Sequence, residues 1–236
     1  MQKIISPQNP LVKHLSKLRN SKSYRKEKQS VIILGKKIIL ELSQFLSIKT
    51  LLLEQDIFIP AEKIFYTNRE ILKKIANIPN PEGAIAEVAL PSFQNLSKMS
   101  SILILDRITD PGNLGTLIRT AKALNFNGAH LLPGCVDPFN DKAIRAGKGA
   151  TFTLPLGYGS LDFQGDLFAA DMSGTPIDRV EFKKPLALIL GSESHGVDPF
   201  WLEKAKKISI PMNRQTESLN VATAGAICMY VIGQNL

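Results

Sequence analysis

An α/β fold is predicted by three features of this 236-residue sequence: short apolar runs of strand length, segments of helical period set between them, and polar turns rich in Gly, Pro and Asn at the junctions. Hydrophobic residues make up 44% of the chain, enough to bury a real core. No run approaches the eighteen or so apolar residues of a membrane span, and MQKIISPQNP lacks the apolar centre of a secretory signal. A cytoplasmic protein without membrane attachment is therefore expected. Cys135 and Cys228 stand far apart with no CxxC pattern and no histidine cluster, which suggests neither a disulfide framework nor a bound metal.

Leu11, Leu15 and Leu18 recur at helical spacing while Lys13, Lys17 and Arg19 fall off that stripe, so the chain begins with an amphipathic helix whose outer side is basic. Tyr24 follows, among Lys22, Arg25, Lys26 and Lys28. Val31–Leu34 and Ile48–Leu53 read as strands around a helix from Lys36 to about Leu46. A helix near Glu70–Ala76 and a strand near Ala84–Leu90 complete a small α/β unit. PSFQNLSKMS, from Pro91 to Ser100, is polar and aperiodic and marks a boundary, giving domains 1–95 and 96–236. Beyond it, strands at Ser101–Leu105, Ala129–Leu132, Phe168–Ala170, Leu186–Leu190 and Ile208–Ile210 alternate with helices near Leu114–Leu124, Pro199–Ala205 and Leu219–Ile232. Short buried strands in that alternation predict a mostly parallel sheet with helices on both faces.

The net charge of +8 is unevenly spread: residues 1–95 hold 15 Lys+Arg against 8 Asp+Glu, and the remainder 14 against 13. Most of the excess lies in the first thirty residues, where Glu27 is the single acid. A polyanion is one natural partner for such a segment; a solvated basic face that keeps the protein soluble is the other reading.

Ligands of an open parallel sheet bind beyond the carboxyl ends of its strands. Three stretches have that placement: DRITDPGNLGTLIR (Asp106–Arg119), LGSESHGVD (Leu190–Asp198) and IPMNRQTESLNVATA (Ile210–Ala224). None is a nucleotide motif. Gly112 and Gly115 do not form GxGxxG, and Gly191 and Gly196 have P-loop spacing but continue as Val197-Asp198, where Lys-Ser/Thr would be needed. Glu193 and Asp198 would repel a triphosphate, so a ligand carrying positive charge, or one held by backbone groups, suits these loops better. Each piece also has a structural explanation: Asn113 as the cap of a helix beginning at Leu114, Glu193 as a surface carboxylate, Ser218 or Asn220 as the cap of the last helix. Three such loops at strand ends of one sheet favour a site. His14, His130 and His195 have no nucleophile beside them in sequence and read as structural or surface residues.

In these residues the sequence resembles the SpoU/TrmH family of RNA ribose 2'-O-methyltransferases, within the SPOUT class. Asp110, Pro111, Asn113, Gly115, Arg119 and Ala121 match its first motif, Gly191, Glu193, Ser194 and Gly196 its second, and Ile210, Pro211, Ser218, Leu219, Asn220, Val221 and Ala224 its third. Pro133–Leu156 resembles the family's stretch between the first two motifs. The N-terminal part is similar to the small RNA-binding domain that many members carry. Arg214 stands where members usually have a glycine.

The resemblance implies a trefoil knot in the C-terminal domain and an S-adenosylmethionine pocket formed by Leu190, Gly191, Ile210, Met212, Ser218 and Leu219. It implies methyl transfer to a ribose 2'-hydroxyl of ribosomal or transfer RNA, with Arg119, Asn113, Glu193 and Asn220 as catalytic residues. RNA binding would fall to Lys13, Lys17, Arg19, Lys22, Arg25, Lys26 and Lys28, and the protein would be a homodimer. The rival from another class is a non-catalytic RNA-binding protein whose second domain serves only to dimerise. It gives no use to Asn113, Arg119, Glu193 and Asn220 together.

Overall fold

The computed structural model describes residues 2–192, 194–213 and 218–235. In chain order its elements begin with β1 (Gln2–Ile4), α1 (Pro10–Asn20), α2 (Lys22–Lys28), β2 (Ser30–Leu34), α3 (Lys36–Leu42), β3 (Ile48–Leu53), β4 (Lys63–Thr67), α4 (Arg69–Ala76) and β5 (Ala84–Ala89). There follow β6 (Ser101–Leu105), α5 (Pro111–Ala123), β7 (Gly128–Leu131), α6 (Asp141–Ala146), β8 (Leu156–Tyr158), β9 (Asp166–Pro176), β10 (Leu186–Leu190), α7 (Pro199–Lys204), β11 (Lys206–Ser209) and α8 (Val221–Gln234). They form two compact units, one of residues 1–91 with 139–149 and one of residues 92–138 with 150–236. The first unit thus recruits a segment from well beyond the polar stretch at Pro91–Ser100.

The first unit has a five-stranded mixed sheet in the order β1-β4-β3-β5-β2, in which β5 runs antiparallel to both neighbours. Helix α1 starts where Asn9 accepts a hydrogen bond from the Leu11 amide (2.9 Å) and Pro10 occupies the first helical position, whose amide would have had no partner. It buries Val12, Leu15 and Leu18 against Ile32, Leu52, Ile85 and the apolar side of α4. Helix α6 packs on β2, and Asp141 at its start pairs with Arg19 (3.6 Å) and Arg145 (3.3 Å).

The basic stretch after α1 is itself helical. Ser21 caps α2 by accepting from the Tyr24 amide (3.1 Å), and Gln29 ends it in the left-handed conformation, φ 47°. This turn carries Arg25 inside, 3% exposed, where its Nη1 donates to the carbonyls of Leu18 (2.6 Å) and Arg19 (3.0 Å). Those are last-turn carbonyls of α1, which a helix leaves without internal partners. Arg25, expected on the RNA-facing surface, is committed to capping α1. Arg19 is withdrawn too: its side chain is 14% exposed and faces Asp141.

The second unit has a six-stranded parallel sheet in the order β11-β9-β10-β6-β7-β8. Alternate residues of its central strands, including Ile102, Ile104, Ala187 and Ile189, meet Trp201 and Leu202 of α7, while α5 and α8 pack together and α8 also reaches β10. At Gly225 a Cβ would collide with Leu117 of α5 and Leu190 of β10, so glycine lets α8 lie that close. Strand β9 runs well past the expected Phe168–Ala170, and β1, β4 and β8 are further strands that sequence periodicity left unmarked. Each of those three is only three to five residues long. Among the described residues no helix is long and apolar enough to cross a membrane.

Arg25→Ala should lower global stability by about 1–3 kcal/mol, because buried carbonyls lose their donor. Lys26→Gln, an exposed neighbour, should stay within about 0.5 kcal/mol of the parent. Denaturant titration of both variants checks the difference.

Candidate active site

The loops that follow β6, β10 and β11 all leave the sheet at its carboxyl edge. The first opens with Asp106, whose side chain is 5% exposed. Its carboxylate accepts from Arg107 Nε (3.0 Å), Arg107 Nη2 (2.8 Å) and the amide of Asp198 (2.8 Å), joining the β6 and β10 loops. Helix α5 then begins at Pro111, a turn before the expected Leu114, because Asp110 and not Asn113 is its cap: Asp110 Oδ1 accepts from the Asn113 amide at 2.7 Å. That correction matters for function. It frees the Asn113 side chain from capping and turns it toward the last helix.

The second loop folds back on itself. Gly196, with φ +65°, donates its amide to the Ser192 carbonyl (2.9 Å), and a Cβ on Gly191 would run into the backbone of Gly196 and Val197. Only glycine fits at position 191. The third loop ends at Asn220, which caps α8 by accepting from the amides of Ala222 (2.9 Å) and Thr223 (3.3 Å). Its Nδ2 donates to Asn113 Oδ1 at 3.1 Å. Two asparagines 107 positions apart in sequence therefore meet at the mouths of α5 and α8. Arg119, on the third turn of α5, is exposed and pairs with no described residue.

The second and third of these loops border a cavity of about 1050 Å³, at the upper end of small-molecule sites. Leu190, Gly191, Ile210, Met212, Ser218 and Leu219 all line it. A further wall comes from β9. Its pairing with β11 jumps from Ala169 to Thr175 between successive β11 residues, Lys207 and Ile208, so the intervening residues bow out of the ladder. Ala170, Asp171, Met172 and Ser173 of that bow face the cavity. Asp171 is the one formally charged side chain among the described lining residues. The Ser173 hydroxyl and amide both donate to it, and the hydroxyl's bond chiefly holds the carboxyl below its ordinary range. The cavity thus offers a fixed anion and many backbone groups, a poor match for a triphosphate and a good one for a cation.

Residues 100–230, which contain all three loops and the cavity, match the model of the SpoU rRNA methylase family. The chain belongs to the SpoU rRNA methylase family. It is 30% identical to the 23S rRNA (guanosine(2553)-2'-O)-methyltransferase RlmP of Bacillus subtilis, with 98% of each chain covered. It is also 30% identical to the 23S rRNA (guanosine-2'-O-)-methyltransferase RlmB of Ralstonia nicotianae, over 69% of this chain and 73% of that one. Among solved structures, the AdoMet-bound rRNA methyltransferase from Sinorhizobium meliloti superposes with a TM-score of 0.88 at 26% identity, over 100% of this chain and 98% of that chain.

Of the four expected catalytic residues, the structure brings Asn113 and Asn220 into contact and leaves Arg119 on the exposed side of the same helix as Asn113. Glu193 lies outside the described residues, as does Arg214. The six expected cofactor residues share one cavity. Of the expected RNA-facing cations, Lys13, Lys17, Lys22, Lys26 and Lys28 are exposed, and Arg19 and Arg25 are withdrawn as described. Sequence reasoning missed Asp106 and the bow of β9. Both carried a readable signal, since Asp106 directly follows a buried strand and ADMSG is a polar turn after another, the same pattern that marked the three loops.

Asn220→Ala should cost about 0.5–2 kcal/mol through loss of the α8 cap, whereas Asn220→Asp should recover most of it, since aspartate caps as well. Aspartate cannot donate to Asn113 Oδ1, so this variant keeps the cap and loses the Asn113 hydrogen bond in its present direction. Thermal melts of the two variants measure the first half of that statement.

Proposed function

We infer that this protein transfers a methyl group from S-adenosylmethionine to a ribose 2'-hydroxyl of RNA, and that ribosomal RNA is its substrate. The observation that carries this reading is the single cavity in which the second and third loops meet beside the Asn113–Asn220 contact. The fit of the cofactor follows from the donor set: backbone amides and carbonyls of two loops, apolar surface from Leu190, Ile210, Met212 and Leu219, and the ionised Asp171 toward a cationic ligand. Bound S-adenosylmethionine supplies an electrophilic methyl on a positively charged sulfur.

The protein's own residues must do the rest. A ribose hydroxyl becomes nucleophilic only as its proton leaves, in line with the methyl it will receive. A guanidinium is a donor and not a proton acceptor, so Arg119 acts by holding the adjacent phosphate and the developing alkoxide. Its exposure and lack of an ion pair among described residues leave its planar fork available for that task. The proton passes to a substrate phosphate oxygen or to a neighbouring acceptor. Asn113 and Asn220 fix each other and the helix mouths around the ribose, and Glu193 orients Arg119 or a group of a second copy by a charge-assisted hydrogen bond.

Lys13, Lys17, Lys22, Lys26 and Lys28 of the first unit guide the RNA backbone, and their charge makes binding fall with salt. A second copy of the chain completes the assembly. What supports it is α8, apolar around its whole circumference, with Tyr230 57% exposed and Ala226, Ile227 and Val231 half-buried. An apolar helix face is covered by protein more often than by water. A trefoil knot is part of the same reading: the chain leaves the edge strand β11 and returns as α8 to pack on α5 and β10 near the sheet centre. The protein works in the cytoplasm, where ribosomal RNA is found.

Calorimetry with S-adenosylmethionine should show binding to the parent protein; none, with RNA present, would leave a non-catalytic RNA-binding protein. Arg119→Ala and Arg119→Lys should both bind cofactor normally yet transfer methyl at least about a hundredfold more slowly, the scale of losing one oxyanion donor. Lysine keeps the charge but not the two-pronged geometry. Near-parental turnover by Arg119→Ala would remove the assignment.

A further inference from the structure

A second cavity, of about 380 Å³, opens in the catalytic unit and shares no lining residue with the cofactor cavity. Arg107, Ser160, Asp198, Phe200 and Trp201 contribute to its walls. The backbone singles out Arg107, whose φ is +54°. The other described non-glycine residues with positive φ, Gln29, Asn77, Asn125 and Lys148, each follow a helix, where a left-handed residue ends the last turn. Arg107 follows a strand. Strain of this kind persists where the surroundings over-determine it, and it clusters at sites of function.

What the strain achieves is orientation. The guanidinium lies against Asp106 through two hydrogen bonds (3.0 and 2.8 Å), with Nη1 3.5 Å from Asp198 Oδ2. Two carboxylates more than balance its charge, so the cavity is not built for a phosphate. The planar group is nevertheless partly exposed, as is Asp198. Beside it stands Phe200, 52% exposed, with its ring centre 5.3 Å from that of Trp201 at an interplanar angle of 86°. Lys204 Nζ sits 3.9 Å from the Phe200 ring centre. The neighbourhood therefore combines a fixed guanidinium plane, two aromatic rings, a hydroxyl and carboxylate for edge contacts, and a cation at the rim. These are the components with which proteins hold an unstacked RNA base, the phosphate remaining outside.

We propose that this cavity receives one nucleobase of the RNA segment that carries the target ribose. The proposal rests on the methyltransferase reading and deepens it. Transfer to a ribose needs no contact with a base edge, so base selection requires another site. This one borders the reactive loops directly: Asp106 precedes the first motif, and Asp198 follows the second. A base stacked here would fix the register of the strand relative to Asn113 and Arg119.

The chain has one tryptophan, Trp201, so its fluorescence reports on this cavity alone. The full-length protein would be titrated with each of the four ribonucleoside 5'-monophosphates and, as a base-free control, with ribose 5-phosphate. At least one monophosphate should quench Trp201 saturably in the millimolar range, and ribose 5-phosphate should not. Phe200→Ala should weaken that binding by roughly fivefold to a hundredfold, the range of one aromatic–base stack. Arg107→Lys, which keeps charge and loses the plane, should weaken it as well. If Arg107→Lys does not fold, the exposed Phe200 variant carries the test, with unchanged S-adenosylmethionine affinity by calorimetry as its fold control. Absence of saturable quenching by every monophosphate, equal quenching by ribose 5-phosphate, or unaltered affinity in Phe200→Ala would overturn the proposal. Failure of the methyltransferase reading would show separately, as loss of cofactor binding by the parent protein.

Discussion

The buried carboxylate of Asp106 is the point on which the reactive end of the sheet is assembled. It stands at the last turn out of β6, nearly sealed from water, and accepts three hydrogen bonds that tie it to Arg107 and to the Asp198 amide in the β10 loop. A charge in such a place is tolerated only when it is paired and hydrogen-bonded, and breaking such a pair typically costs about 3–5 kcal/mol. The loops after β6 and β10 are thereby fixed relative to each other. Asp106, Arg107 and Asp198 themselves wall the smaller cavity of this unit, and the β10 loop also contributes to the larger one.

Around this anchor the larger cavity, proposed to hold the cofactor, is made by departures from regular structure. The Gly191–Gly196 turn closes so tightly that a methyl group at Gly191 has no room, and β9 abandons its ladder with β11 for several residues to present Asp171. Gly174 takes part in this, because a Cβ there would strike the Lys207–Ile208 backbone. Opposite, α8 is drawn in over Gly225 until Asn220 at its tip meets Asn113. A ligand there would meet backbone amides and carbonyls more than charged side chains, so few residue identities betray the site. It is consistent with the absence of a phosphate-binding motif in glycine-bearing loops that sit where such motifs usually do.

Much of this was legible in the sequence because it depends on local pattern. Buried strands such as Ser101–Leu105 and Leu186–Leu190 are continuous apolar runs, and the three polar loops follow such runs directly. What escaped depends on long-range contacts. Arg25 looks like its exposed neighbours Lys26 and Lys28 until α2 folds back and points it at the end of α1. The segment 139–149 lies between two strands of the catalytic unit yet packs with the first unit, with Asp141 facing Arg19, a pairing across 122 positions that no local period announces. The structural explanation of Asn113 as a cap lies one turn too late because Asp110, the better-placed acceptor, sits before a proline that also suits the first helical position.

That the product of this active site is a methylated ribose in ribosomal RNA is the statement on which the rest depends. It is tested most directly by incubating the protein with unmodified ribosomal RNA and methyl-labelled S-adenosylmethionine, then digesting the RNA to nucleosides for mass spectrometry. Label is expected in a 2'-O-methylnucleoside, on the sugar fragment and at one position. Label on a base fragment, or no label from a protein that binds the cofactor, would contradict it.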